Sequence, residues 1–253
     1  MRKSLLLAAS LLAAGLLATP VLSQQQTSAA DIEKKFDTYI SSSEMDGWMK
    51  KMAAEPNHVG SPHDKANAED TLARFKAWGW DAKIEEFRVL YPTPLKVQLD
   101  LVTPRRFSAT LTEKPVPGDA TSSRTKAQLP AYVAFQGDGD VTAPLVYVNY
   151  GMPDDYKALE RMGVDVKGKI VIARYGQGWR GLKPKLAQDH GAVGCIIYSD
   201  PRDDGFSVDD AYPKGAARPA QGFQRGSVAD MPLYPGDPLT PGVGATKDAV
   251  RLK

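Results

Sequence analysis

Pro144-Leu-Val-Tyr-Val148, Gly168-Lys-Ile-Val-Ile-Ala173 and Gly194-Cys-Ile-Ile-Tyr198 are three short apolar runs rich in β-branched residues. Runs of four to eight such residues bounded by Gly, Pro and Asp read as buried strands. The stretch from Asp154 to Met162 between the first two is helix-like, and between the last two a short amphipathic segment runs from Leu182 to His190, closed by Gly191. Strands that alternate with helices predict parallel pairing over right-handed crossovers, because a parallel neighbour cannot be reached through a tight hairpin. The expected class is therefore α/β (mixed α+β).

Working outward, the chain from Asp200 on is loop-like, and Glu113 to Pro130 is crowded with Pro, Gly, Ser, Thr and charge, which marks a surface connection and a domain boundary. Upstream of it, Ile84, Phe87, Val89, Val97, Leu99, Leu101, Phe107, Ala109 and Leu111 alternate. This alternation predicts three strands, broken at Tyr91-Pro-Thr-Pro94 and at Thr103-Pro104. Ala30 to Gly79 reads as two short helices. The first carries Met45, Trp48, Met49 and Met52 as a core stripe and stops at Pro56; the second is capped by Ser61-Pro62 and carries Ala68, Leu72 and Phe75 on one face.

The composition of the 253 residues, 42% hydrophobic and 25% charged with Gly 22 and Pro 19, is that of a globular protein. Arg2-Lys3, the apolar run Leu5 to Leu17, Pro20 and Val21-Leu22-Ser23 follow the grammar of a secretory signal peptide, with cleavage expected after Ser23. That run is shorter than the roughly 20 apolar residues of a membrane span, so no membrane anchor is expected after cleavage. Without Arg2 and Lys3 the formal charge of +2 falls to zero, a balance with no electrostatic footprint for nucleic acid or anionic membrane. Cys195 is the only cysteine, and there is none at the cleavage site to take a lipid. Export with almost no cysteine fits a periplasmic or secreted bacterial protein.

Candidate chemistry is sparse. Gly176-Gln-Gly178-Trp-Arg-Gly181 has the spacing of a dinucleotide-binding turn, with Asp200 about 20 residues on for a ribose. His58 and His63 are five apart with no Glu between them, a spacing that suits turns and caps better than zinc. The pairs Asp138/Asp140, Asp203-Asp204 and Asp209-Asp210 lack the twelve-residue calcium loop. Ser41-Ser42-Ser43 lacks any nucleophile context.

Read in order, Leu145-Val-Tyr-Val-Asn-Tyr150, Gly168-Lys-Ile-Val-Ile-Ala-Arg-Tyr-Gly176, Trp179-Arg-Gly181, Gly191-Ala-Val-Gly194, Ile197-Tyr-Ser-Asp-Pro201, Gln224-Arg-Gly226 and Gly236-Asp-Pro-Leu-Thr-Pro-Gly242 resemble the protease-associated (PA) domain of the glutamate carboxypeptidase II type of zinc peptidase, whose relatives include the transferrin receptor. Pro56-Asn-His-Val-Gly-Ser61 and Trp78-Gly-Trp80 resemble the opening of that family's peptidase domain. The resemblance implies a signal peptide over 1–23, an incomplete N-terminal portion of the peptidase domain over 24–117 and a PA domain over 118–253, short at its C-terminal end.

The implied parent is an exopeptidase with two catalytic zinc ions, a peptide substrate and a homodimer as partner state; its zinc ligands and general base match no residue of this chain. The resemblance thus implies no catalytic residue here and a chain that is inert alone. It gives substrate-binding roles to Arg180, which would pair with the substrate's C-terminal carboxylate, to Trp179 in the pocket wall, and to Ser227, which stands where the glutamate-specific enzyme has Asn. It gives the backbone carbonyl of Thr240 a role in binding a structural calcium ion, with Val243 replacing a tyrosine. A non-catalytic PA-domain binding module and a dinucleotide oxidoreductase are the alternatives.

Overall fold

The computed structural model describes residues 28–89, 91–229, 240, 243 and 246–251. The expected signal peptide and most of Gly236–Gly242 lie outside the described residues. The chain divides between Trp48 and Met49 into two units. The first unit holds α1 (Ala29–Asp37), whose N-cap Ser28 accepts from the Asp31 N–H, and most of α2 (Ser42–Met52).

The second unit opens with α3 (Pro62–Ala77), capped as expected: the Ser61 hydroxyl accepts from the Asp64 N–H and Pro62 fills the first turn, where no amide hydrogen is needed. There are thus three helices where the sequence pattern suggested two. None of them buries a residue, and Met45, Met49 and Phe75 are exposed. The apolar stripe anticipated as core is a surface. Helical periodicity marks one face as apolar; it does not supply the element that covers it.

The three strands expected between Ile84 and Leu111 are likewise reduced. Only β1 (Asp100–Leu101) and β2 (Phe107–Ser108) pair, antiparallel, and residues 81–89 form no strand. Alternation fixes which side chains share a face, but a strand exists only where a second backbone accepts its hydrogen bonds.

The core lies further along. β4 (Leu145–Tyr147), β5 (Ile170–Arg174) and β6 (Gly194–Tyr198) form a parallel sheet in the order β4-β5-β6. The connections are α4 (Pro153–Arg161) and α5 (Leu182–Asp189), at the positions that the alternation of runs predicted. Val148, Tyr156, Val166, Val171, Ala173 and Ala187 make one buried cluster between this sheet and its helices. A second parallel pair, β3 (Val133–Ala134) with β7 (Gly226–Ser227), brings the end of the Glu113–Pro130 connection beside a strand almost a hundred residues later. Cys195 lies on β6, where burial pushes its thiol up to about 11, so it packs and does not react.

One charged residue sits inside the core. Lys183 on α5 is fully buried, and its Nζ donates to the carbonyl of Tyr150 at 2.6 Å and to that of Gly176 at 2.9 Å. These carbonyls belong to the turns that follow β4 and β5, where Gly151 and Gly176 take positive φ. A buried carbonyl without a donor costs about 1–3 kcal/mol. We expect Lys183→Met, which keeps the aliphatic volume and removes the donor, to lower unfolding free energy by about 2 kcal/mol or more. Urea denaturation followed by far-ultraviolet dichroism measures it.

Candidate functional site

The carboxyl ends of β4, β5 and β6 carry a connected polar arrangement, as open parallel sheets lead one to expect. The Arg174 guanidinium at the end of β5 stacks 4.0 Å from the Tyr150 ring centre, donates from Nε to Asn149 at 3.1 Å, and lies 3.3 Å from Asp203 and 3.8 Å from Asp200. Tyr150 donates to Asp203 and Tyr198 to Asp200. The Arg202 N–H, then the Tyr198 hydroxyl, hold the Asp200 carboxyl below its ordinary value. Asp200, expected as a ribose acceptor in the dinucleotide reading, is already committed to protein donors.

After Arg174 the chain reverses through Gly176 and Gln177, both at positive φ. The glycines of the dinucleotide-like turn are filled by the protein itself. A Cβ on Gly176 would stand 3.0 Å from the Tyr150 ring, one on Gly178 2.7 Å from the Met152 sulfur, and one on Gly181 would collide with the Trp179 indole. The close approach these glycines permit is therefore to side chains, and the turn leaves no cradle for a pyrophosphate. The spacing is that of the fingerprint; the packing is not.

The same turn presents Trp179 and Arg180. Trp179 is 41% exposed. Arg180 is half-buried; its Nε donates to the Tyr175 hydroxyl at 3.1 Å and its Nη1 to the Ser227 carbonyl at 3.1 Å, while its Nη2 makes no hydrogen bond among the described residues. Its plane lies against Gly226, where a Cβ would collide with the guanidinium. The fold thus joins Arg180 and Ser227, 47 positions apart, and sets Trp179 beside them. The Ser227 hydroxyl accepts from the Ala229 N–H, so it is the serine's carbonyl that meets Arg180. Thr240 is almost fully buried; residues 230–239 and 241–242 around it lie outside the described residues.

Sequence reasoning missed how β7 is held. Arg225 pairs with Glu113 at 3.0 Å and donates from Nε to the carbonyls of Leu129 and Pro130, each at 3.1 Å; the Phe223 N–H and the Gln128 amide also donate to Glu113. One carboxylate therefore ties together three segments of the chain, residues 113, 128–130 and 223–225. No local signal marks this, since Phe223 stands 110 positions from Glu113 and Arg225 lies further on still.

The motif histidines play turn and packing roles. His63 Nε2 lies 3.1 Å from the carbonyls of Lys51 and Met52, and His58 stacks on Tyr91. Asp203 and Asp204 are engaged by Arg174 and Arg218. Among the described residues no group of three His, Cys, Asp or Glu side chains could hold a metal ion, so these residues do not fit a zinc centre. Nor, among them, is any helix long and apolar enough to cross a membrane.

With this geometry in view, residues 141–231, which hold the parallel sheet, its helices and the Arg180 turn, match the PA domain family. The chain is a PA-domain protein related to glutamate carboxypeptidase-like peptidases. It is 39% identical over 183 residues to a probable glutamate carboxypeptidase of Arthroderma benhamiae, covering 70% of this chain and 25% of that protein. It is 35% identical over 213 residues to the aminopeptidase NAALADL1 of Rattus norvegicus, covering 81% of this chain and 28% of that one. Among solved structures, the aminopeptidase from Aneurinibacillus sp. strain AM-1 overlays with a TM-score of 0.40 at 21% identity, over 74% of this chain and 35% of that one. The chain spans about a quarter of the length of these curated relatives.

The Glu113 clamp has a pH signature. Burial acts to raise its carboxyl, but Arg225, the Phe223 N–H and Gln128 outweigh that and hold it below the ordinary glutamate value. A depressed folded-state value stabilises the protein fully above the unfolded value, and that stabilisation is lost as pH falls through the folded one. We expect denaturation midpoints to fall on acidification below the ordinary glutamate range, and Glu113→Gln to be less stable at neutral pH with a flatter acid limb.

Proposed function

We propose that the whole protein is an exported zinc exopeptidase of the glutamate carboxypeptidase type. In this reading, residues 1–23 are its signal peptide, 24–117 the opening of its peptidase domain and 118–253 its PA domain. The relatedness to the proteins above supports the class. The apolar surface that α2, α3 and residues 81–111 leave exposed supports the reading of 24–117 as part of a larger domain. The signal-peptide grammar supports export to a periplasm or the medium.

Zinc held by other residues of the whole protein would supply Lewis-acid activation of a water for peptide hydrolysis. No step of that hydrolysis falls to the residues described, and the chain alone is inactive. Their part is to place the substrate, and the single observation that carries this is Arg180. The Tyr175 hydroxyl and the Ser227 carbonyl hold its guanidinium at the carboxyl end of the sheet and leave its Nη2 edge for an anion. A fixed planar fork of this kind suits a carboxylate, here the C-terminal carboxylate of a peptide, with Trp179 as the apolar wall. Ser227 stands where the glutamate-specific enzyme has Asn and offers a shorter side chain with a single donor, so a broader terminal-residue range follows. A structural calcium ion at the Thr240 carbonyl and a homodimer complete the proposal.

The native product, detected in its source with an antibody to this chain, should exceed 27.4 kDa. In that full-length enzyme, Arg180→Ala should lower kcat/KM for peptides with a free C-terminal carboxylate by roughly ten- to a hundredfold, as loss of a charged hydrogen bond implies. Turnover of C-terminal amides should be unchanged. An equal loss on both substrates would remove Arg180 from carboxylate recognition.

A further inference from the structure

A cleft of about 320 Å³ lies between the end of α4, the turn Gly163–Val166 and His190, the residue that follows α5. Its apolar lining is Leu159, Val164 and Val166 together with the Tyr156 ring. Tyr156 is 2% exposed, and its hydroxyl is a buried side-chain polar atom with no hydrogen-bond partner among the described residues. The His190 imidazole stacks on that ring, with centroids 4.1 Å apart and planes within 10°.

The stack and a backbone bond fix what His190 offers to the cleft. Nδ1 lies 2.8 Å from the Leu186 carbonyl; a carbonyl only accepts, so Nδ1 carries the hydrogen, and in the neutral ring Nε2 is an acceptor. Nε2 lies 3.9 Å from the Glu160 carboxylate. That is too far for a direct hydrogen bond, but it is a separation that one bridging N–H donor group can span. Asp165 also lines the cleft; its carboxylate accepts from the Lys167 N–H at 2.9 Å, and Lys169 Nζ is committed to its carbonyl at 2.5 Å. α4 ends at Arg161 and α5 at Asp189, so the negative ends of two helix dipoles converge on the same place. At the rim, the Glu160 carboxylate and His190 Nε2 are acceptors, over an apolar floor.

We propose that this cleft binds a primary ammonium carried on a small apolar body, with the ammonium bridging Glu160 and His190 and the body on Leu159, Val164 and Val166. A ligand that also carries a carboxylate next to its amine is disfavoured by Glu160, Asp165 and both helix ends, which sets this site apart from one for free amino acids. The inference does not rest on the proposed peptidase role.

The test titrates the 253-residue chain by calorimetry with phenethylamine, with 2-phenylethanol as the neutral isostere, and with phenylalanine amide to represent a peptide amino terminus. We expect millimolar binding of the amine and at least roughly tenfold weaker binding of the alcohol, the scale of one charged hydrogen bond. The tighter of the two amines identifies the natural source. Glu160→Gln should weaken the amine about tenfold; its side chain is 66% exposed, so the variant folds. His190→Phe keeps the stack, verified by near-ultraviolet dichroism, and should weaken the amine several-fold. Equal binding of amine and alcohol, no heat at millimolar amine, or undiminished affinity in Glu160→Gln would each overturn the proposal.

Discussion

A buried ammonium organises the parallel layer. Lys183 reaches from α5 beneath the turns that follow two neighbouring strands and donates to a carbonyl of each. Those turns reverse through positive-φ glycines, and carbonyls exposed by such reversals need donors that no ladder provides. Removing an ammonium from water is costly, and burial lowers the Lys183 pKa accordingly. The cost is offset only while both acceptors stay in place, so the lysine and the turns fix one another. With the turns fixed, Arg174 can stack on Tyr150, and the next turn can carry Trp179 and Arg180 at a set distance from the sheet.

A second clamp fixes the other wall. Glu113 collects Arg225, the Phe223 N–H and Gln128, and so holds β7 against β3. This places the Ser227 carbonyl where Arg180 Nη1 can reach it, over a glycine that leaves room for the guanidinium. The position of the Arg180 guanidinium thus depends on an ion pair whose members are more than a hundred residues apart. The two halves of the chain differ in kind for the same reason. From residue 144 on, strands have partners and a core closes; α1 to α3 bury nothing, and residues 81–111 keep a two-residue ladder.

Much of the second half was legible because its signals are local and mutually consistent. Apolar runs, the helix-like stretches between them and the glycine after α5 mark β4 to β6 and their helices within a residue or two. The motif string from Leu145 to Gly226 carries the PA-domain identity, and the family match over 141–231 agrees. In the first half the same tools misled: the methionines of α2 and the alternation of 84–111 describe faces without saying what lies opposite. The dinucleotide spacing at Gly176–Gly181 misled for the converse reason, since the glycines make room for Tyr150, Met152 and Trp179.

The sequence by itself determined the elements of the parallel layer, their parallel pairing, and the kinship with glutamate carboxypeptidase-like peptidases, because periodicity, caps and ordered motifs are properties of neighbouring residues. Only the tertiary structure decided that Lys183 is buried between two turns, that Arg180 rests on the Ser227 carbonyl, that Glu113 binds three segments together, and that His190 and Glu160 face one cleft. Each of these joins groups far apart in the chain through a distance of a few ångströms. Such distances are set by packing all the elements at once, and no local pattern encodes them.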